Sequence, residues 1–157
     1  MAKELKYFNN RLMGTLEEKQ CKQLETVISL KDNQKPIEAL RHTIYNLEDH
    51  MIDEVLEDER NYPLEERPVG SLTNGQTITV GFAYIAEDCL IGDSVGLGKT
   101  VETSAFINLK RKEKYDKFGD IQGYRCLFLT ENTLVEQVQR ELVKFTGEFV
   151  EVLYGDK

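Results

Sequence analysis

The sequence predicts an α/β fold in which a partial parallel β-sheet follows a helical N-terminal region. In the first 61 residues apolar side chains recur at spacings of three and four, as on one face of a helix. After residue 76 short β-branched or apolar runs alternate with amphipathic stretches, which is typical of strands joined by helices. Prolines and glycines are frequent between these two parts. We therefore expect a helical region at 1–61, a loop at 62–76 and an α/β part at 77–157.

Two helices are predicted in the N-terminal region. The first runs from about Leu16 to Ile28, because Thr15 and Glu18 have the spacing of a capping box. The second begins near Pro36, which fits the first turn of a helix without the loss of a hydrogen bond. Its apolar face is formed by Ile37, Leu40, Ile44, Leu47, Met51 and Val55.

The second part of the chain contains four runs with the composition of strands. They are Thr77–Val80, Cys89–Ile91, Cys126–Leu129 and Phe149–Leu153. A helix is predicted from Thr100 to Lys114, with a basic end that suits the helix dipole. A further helix is predicted from Thr133, where a second capping box occurs, to Gly147. The alternation of strands and helices after residue 88 indicates a βαβαβ unit.

Composition and charge exclude several classes of protein. No apolar run approaches the roughly 18 residues that a membrane span needs. The three cysteines form no CxxC pair, so neither a disulfide framework nor a zinc site is indicated and a reducing cytoplasm is expected. The formal net charge is −8. All of the acidic excess lies before Lys99 and is densest between Glu48 and Glu66, which argues against nucleic-acid binding across the whole surface.

A glycine-rich phosphate-binding loop, or P-loop, is the strongest motif. It reads Asp93-Ser94-Val95-Gly96-Leu97-Gly98-Lys99-Thr100. In such a loop the glycines let backbone N–H groups surround a phosphate, the lysine neutralises phosphate charge and the hydroxyl binds Mg²⁺. Gly96, Gly98, Lys99 and Thr100 match those roles, whereas Asp93 stands where the general pattern has glycine. The motif predicts ATP and Mg²⁺ as ligands, against the alternative of a glycine turn that only caps a helix.

The loop and its flanks, Ile91–Glu102, resemble motif I of superfamily 2 helicases of the Swi/Snf-like branch, which belong with the DEAD/DEAH-type enzymes. Members of that branch typically read Leu-Ala-Asp-Glu-Met-Gly-Leu-Gly-Lys-Thr-Ile, so the aspartate is usual there. Gly92 replaces the alanine and Ser94 the glutamate. The resemblance implies a RecA-like ATP-binding domain, of which residues 77–157 are a truncated form, and a role for Lys99 in catalysis by the complete enzyme.

Two more segments resemble motifs of the same family, in the same order. Leu127–Leu142 is similar to motif Ia, although Glu131 and Val138 replace its usual proline and tryptophan. In the family this segment contacts the sugar-phosphate backbone, which implies nucleic-acid contacts from Thr130, Asn132 and Thr133. Leu30–Lys35 is similar to the glutamine motif, which implies an adenine contact from Gln34. The alternatives without a ligand are that Thr133 only forms a capping box and that Gln34 is a solvated side chain before a helix.

The resemblance predicts the N-terminal part of an ATP-dependent DNA helicase or translocase. Hydrolysis in that family also needs an Asp-Glu pair at a strand end and an arginine finger from a second RecA-like domain. Asp-Glu dipeptides, such as Asp53-Glu54, occur only before the loop, so these 157 residues are expected to be inactive by themselves. The expected partners are nucleic acid, DNA rather than RNA, and the remaining part of the helicase. The alternatives are another P-loop kinase or NTPase, or a non-catalytic interaction protein.

Overall fold

A computed structural model describes residues 4–8, 12–29, 40–41, 43–86, 88–119 and 125–154. Three strands lie in these ranges: β1 (Glu4–Phe8), β2 (Leu12–Leu16) and β3 (Asp88–Ile91). The described helices of at least ten residues are α1 (Glu18–Ser29), α2 (Asp49–Asp58), α3 (Asn74–Ile85), α4 (Lys99–Phe118) and α5 (Val135–Thr146). Short 3₁₀ turns occur at Leu64–Glu66 and Asn132–Leu134.

The strands form one antiparallel sheet in the order β1-β2-β3. Leu12 pairs with Ile91 and Thr15 with Asp88, so the N-terminal hairpin lies beside the strand that leads into the P-loop. Strand β3 was predicted from the sequence, whereas β1 and β2 were not. Within the described residues no parallel pair of strands is present, and the RecA-like parallel sheet stays a prediction.

Three apolar clusters hold the helices together. The first joins β2 and α3 through Leu16, Phe82 and Ala86. The second joins the chain before α2 to α3 and α4 through Ile44, Leu72, Val80 and Ala105. The third joins α2 and α5 through Leu47, Ile52, Val55 and Val143. The helix α4 contacts both α3 and α5, so the P-loop helix lies between two neighbours.

The predicted strand at Thr77–Val80 is wrong, because these residues lie inside helix α3. Thr73 and Gln76 form a capping box at its start. The hydroxyls of Thr77 and Thr79 donate to the carbonyls of Thr73 and Gly75, four residues earlier, at 2.8 and 3.2 Å. Tertiary packing of this buried helix therefore overrides the β propensity of its threonines.

The prediction of one long second helix up to Val55 is also wrong, because its middle part is not helical. Residues 43–48 are not helical, and α2 begins only at Asp49. The backbone N–H groups of Tyr45, Asn46 and Leu47 donate instead to the carbonyls of Phe145, Pro68 and Lys144. These long-range bonds satisfy the backbone, and so the segment needs no helical hydrogen bonds of its own.

The first predicted helix is confirmed as α1, but its capping box is wrong. Thr15 belongs to strand β2, and the side chain of Gln20 accepts the backbone N–H of Glu17 at 2.7 Å. The helices predicted at Thr100–Lys114 and up to Gly147 are confirmed as α4 and α5. Neither predicted strand at Cys126–Leu129 or Phe149–Leu153 forms, since both segments are irregular and lack a neighbouring strand in the described chain.

A buried ion network ties the loop after α2 to the end of α5. The side chain of Arg67 is 3% exposed and pairs with Glu148, Nη1 to Oε1, at 2.8 Å. Its Nη1 and Nε also donate to the carbonyls of Thr146 and Tyr62, each at 2.7 Å. Arg111 on α4 pairs with the same carboxylate oxygen of Glu148. The network therefore links three parts of the chain around the P-loop helix.

Candidate functional site

The P-loop connects the end of β3 at Ile91 to the start of α4 at Lys99. Gly96 and Gly98 have φ angles of 85° and 86°, in the left-handed region that glycine enters at low cost. A Cβ atom at Gly98 would also lie 2.7 Å from Nε2 of Gln76. The positive φ angle therefore favours glycine at position 98, and a side chain there would also displace the amide of Gln76.

The side chain of Lys99 folds back over the loop. Its Nζ donates to the carbonyl oxygens of Asp93 and Ser94 at 2.9 and 3.0 Å. The ammonium group therefore lies next to the loop backbone at the N-terminus of the 20-residue helix α4. Backbone N–H groups and the helix dipole make such a position favourable for an anion.

The other predicted P-loop residues differ in exposure. Asp93 is buried, whereas Ser94, Val95 and Leu97 are exposed, and Val95 is 99% exposed. The buried carboxyl of Asp93 therefore faces the protein, while the tip of the loop faces solvent. This division suits a loop whose base is held by the fold and whose tip is accessible to a ligand.

Gln76 contacts the P-loop although the sequence analysis did not select it. Its Nε2 donates to the carbonyl of Leu97 at 3.2 Å. Its Oε1 accepts the backbone N–H of Thr73 at 3.0 Å, as part of the capping box of α3. The capping-box spacing Thr73-x-x-Gln76 is present in the sequence. It was not used, because the β-branched residues that follow it favoured a strand.

Thr100 is the candidate magnesium ligand and lies half-buried in the first turn of α4. The described residues contain no group of three His, Cys, Asp or Glu side chains that could hold a metal ion. In nucleotide sites Mg²⁺ is commonly held by one or two carboxylates together with substrate phosphates, and the hydroxyl that follows the lysine of a P-loop is a further ligand. A metal would therefore be held jointly by Thr100 and a bound nucleotide.

Residues predicted to contact nucleic acid lie together at the start of α5. Thr130, Asn132 and Thr133 are all exposed, and the last two belong to the 3₁₀ turn before the helix. The predicted capping box of Thr133 does not form, because the N-cap of α5 lies one residue later, at Leu134, and has no side-chain cap. The first backbone N–H groups of this helix therefore have no side-chain acceptor at the N-cap.

Strand β3 carries a thiol just before the loop. Desolvation raises the pKa of Cys89 above its ordinary value, and the neighbouring Asp88 carboxylate adds to this effect. The thiol therefore stays protonated at neutral pH, which argues against a nucleophilic role.

The predicted glutamine motif, with Gln34, lies outside the described residues.

Comparison of the chain with protein-family models, with curated proteins and with solved structures finds no match. Among the described helices, none has both the length and the apolar composition that a membrane span requires.

Proposed function

We propose that this chain is a P-loop nucleotide-binding protein, in which the loop 93–100 binds the phosphates of ATP. The observation that carries the proposal is the loop itself: two glycines have positive φ angles, and the ammonium of Lys99 lies 2.9 and 3.0 Å from loop carbonyls. A strand precedes the loop and a long helix begins at the lysine, which is the local context that a P-loop requires.

Within that class, the best-supported particular function is the ATP-binding part of a Swi/Snf-like superfamily 2 DNA helicase or translocase. Its support is the sequence of motif I at Ile91–Glu102, followed in order by the similarity to motif Ia at Leu127–Leu142. In the complete enzyme, ATP hydrolysis would be stimulated by nucleic acid and would need an acidic motif and a second RecA-like domain. A reducing compartment, the cytoplasm, fits the three free cysteines.

In this proposal different residues bind the phosphates, the metal ion and the nucleic acid. Lys99 neutralises charge on the β- and γ-phosphates, and the backbone N–H groups around Gly96 and Gly98 bind phosphate oxygens. Thr100 supplies a hydroxyl to Mg²⁺, which in turn stabilises the charge that develops on the phosphates. Motif Ia residues Thr130, Asn132 and Thr133 hold the backbone of the nucleic acid.

Lys99→Ala is expected to weaken ATP binding by about 10- to 100-fold, because a hydrogen bond to a charged group contributes about 1.5 to 3 kcal/mol. Isothermal titration with ATP and Mg²⁺ measures the loss. Lys112→Ala, which removes the same charge from an exposed position of the same helix, is the matched control and is expected to bind as the parent does. Equal affinity of parent and Lys99→Ala, both folded by circular dichroism, contradicts the assignment.

Nucleic-acid binding is expected to be weak and to fall steeply with salt. The acidic excess before Lys99 repels phosphates, and the donors proposed for nucleic acid are confined to the segment before α5. Thr133→Glu is expected to weaken binding further, although a carboxylate at a helix start stabilises the helix itself. Gln23→Glu, on the exposed surface of α1, changes the net charge equally and is the control.

Fluorescence anisotropy of labelled duplex and single-stranded DNA over a salt series measures these affinities. Binding that stays tight at high salt, or an equal effect of the two substitutions, argues against a DNA contact at the start of α5. The same series with RNA of identical sequence separates a DNA-specific parent from one that acts on RNA.

A further inference from the structure

An N-terminal unit is formed by β1, β2 and α1, that is by residues 4–8 and 12–29. None of the segments that resemble helicase motifs includes these residues. The side chain of Gln20 on α1 donates from Nε2 to the carbonyl of Ile85 at 2.7 Å. Ile85 is the last residue of α3, where helix carbonyls have no donor within their own helix. The N-terminal unit therefore holds the end of α3, just before β3 begins.

The same unit pairs with β3 along the whole length of this strand. The register partners run from Thr15 and Asp88 to Leu12 and Ile91. Within the described residues β2 is the only strand beside β3. Hydrogen-bonded strands lie about 4.8 Å apart, so a shift of β2 moves β3 with it. Because the P-loop follows Ile91 directly, β2 fixes the backbone up to the base of the loop.

Gly14 lies where β2, β3 and α3 approach one another closely. A Cβ atom at this position would lie 2.9 Å from the carbonyl oxygen of Asp88 and 2.9 Å from Cζ of Phe82. The Phe82 ring is fully buried, and the Asp88 oxygen belongs to the backbone of β3. Neither atom can move far without displacing its own helix or strand. A side chain at position 14 would therefore push β3 away from β2 or from α3.

Apolar packing on one face joins the same elements. Leu16, Phe82 and Ala86 form the first cluster, and Ile91 packs against it. Side chains alternate between the two faces of a strand, so Leu90 lies on the opposite face, where it is 59% exposed. The position of the end of β3, and with it the base of the P-loop, therefore depends on β2 and on the first cluster.

We infer that the N-terminal unit is a positioning element of the nucleotide site, and that Gly14 is the residue through which it sets the place of β3 and of the P-loop base. The inference rests on the proposed function of the loop and gives a role to residues outside the helicase-like motifs. Gly14 acts through the backbone of β3 and has no assigned contact with the nucleotide. Binding groups must keep their positions within about 0.5 Å, so a displaced strand lowers the affinity for ATP.

Three substitutions and two controls separate this role from overall stability. Gly14→Ala and Gly14→Val place a small and a branched side chain at the crowded position, and Gln20→Met removes the donor to Ile85. The first control is Gly75→Ala, because a Cβ atom at Gly75 meets no atom within 4 Å. The second is Val143→Ala, which lowers stability by removing buried volume from the third cluster, away from the N-terminal unit.

The measurements are titration with ATP and Mg²⁺, thermal unfolding, and amide hydrogen exchange at residues 92–98 in the nucleotide-free chain. Gly14→Val is expected to bind ATP at least about tenfold more weakly, the effect of one lost hydrogen bond of about 1.4 kcal/mol, and to exchange faster in the loop. Gly14→Ala and Gln20→Met are expected to show smaller changes of the same kind. Gly75→Ala is expected to match the parent. Val143→Ala is expected to unfold at a lower temperature with parent-like affinity and loop exchange, because a loop exchanges through local opening.

Lower affinity and faster loop exchange in Gly14→Ala and Gln20→Met, with neither change in Val143→Ala, support the inference. Parent-like affinity and loop exchange in Gly14→Ala and Gln20→Met overturn it while the proposed function stands, even where Gly14→Val does not fold. An equal loss of affinity in Val143→Ala and Gly14→Ala also overturns it, because overall stability then explains the effect. A parent chain that binds no ATP, and that Lys99→Ala leaves unchanged, overturns the proposed function and the inference together.

Discussion

The purified 157-residue chain is expected to release phosphate from ATP only at the uncatalysed background, even while it binds ATP. In the proposed function Thr100 would supply one hydroxyl for Mg²⁺, but no Asp-Glu pair follows it in these residues. An arginine finger alone contributes about 10³ to 10⁵ in rate, so a site without it and without the acidic pair is expected to be far slower than an ordinary enzyme.

Phosphate release with and without duplex DNA, beside the Lys99→Ala variant, measures this. Turnover above about one per second, in the range ordinary for enzymes, that disappears in Lys99→Ala shows a complete active site within these residues. That result contradicts the helicase proposal and favours another P-loop kinase or NTPase. Binding without turnover agrees with the proposal.

Arg67→Ala is expected to lower the free energy of unfolding by about 3 kcal/mol, because it breaks a largely buried ion pair with Glu148, which keeps Arg111 as its partner. It also removes the donor to the carbonyls of Thr146 and Tyr62. Urea denaturation followed by circular dichroism measures the change.

Arg60→Ala is the matched control for this substitution. Arg60 pairs with Glu54 and Asp58, but its side chain is 52% exposed, so its removal is expected to cost at most about 1 kcal/mol. A loss from Arg67→Ala no larger than that from Arg60→Ala contradicts a stabilising role of the buried network. Comparing the two losses in free energy of unfolding shows how much of the effect comes from burial of the ion pair.

Three helices were predicted from the sequence, whereas both predicted capping boxes and the pairing of strands were not confirmed. Gly96 and Gly98 have positive φ angles, which depend on their own residues alone, and nucleotide binding by this loop stays a prediction. The strand predicted at Thr77–Val80 failed because its hydroxyls are satisfied inside a helix whose apolar face is buried. Propensity describes single residues, whereas this choice depended on packing against residues far along the chain.

Residues 43–48 were also predicted wrongly, because their structure depends on partners far along the chain. Their apolar spacing is helical, yet Leu47 donates its backbone N–H to Lys144, almost a hundred residues away in sequence. No short-range pattern records such a partner. Gln76 was missed for a related reason, because its contact with Leu97 depends on the relative position of α3 and the P-loop. The DNA contacts of motif Ia and the adenine contact of Gln34 stay predictions.

The hydrogen bonds of Lys99 within the loop affect the net free energy that its contact with a phosphate can contribute. The ammonium donates two of its three N–H groups to loop carbonyl oxygens, so a phosphate bound as proposed would use the third N–H or replace an acceptor that the protein itself provides. Where it replaces an acceptor, binding is an exchange of partners, and its net free energy is smaller than the strength of the new ion pair. The same internal acceptors keep the side chain ordered without ligand, so little rotamer entropy is lost when the phosphate arrives.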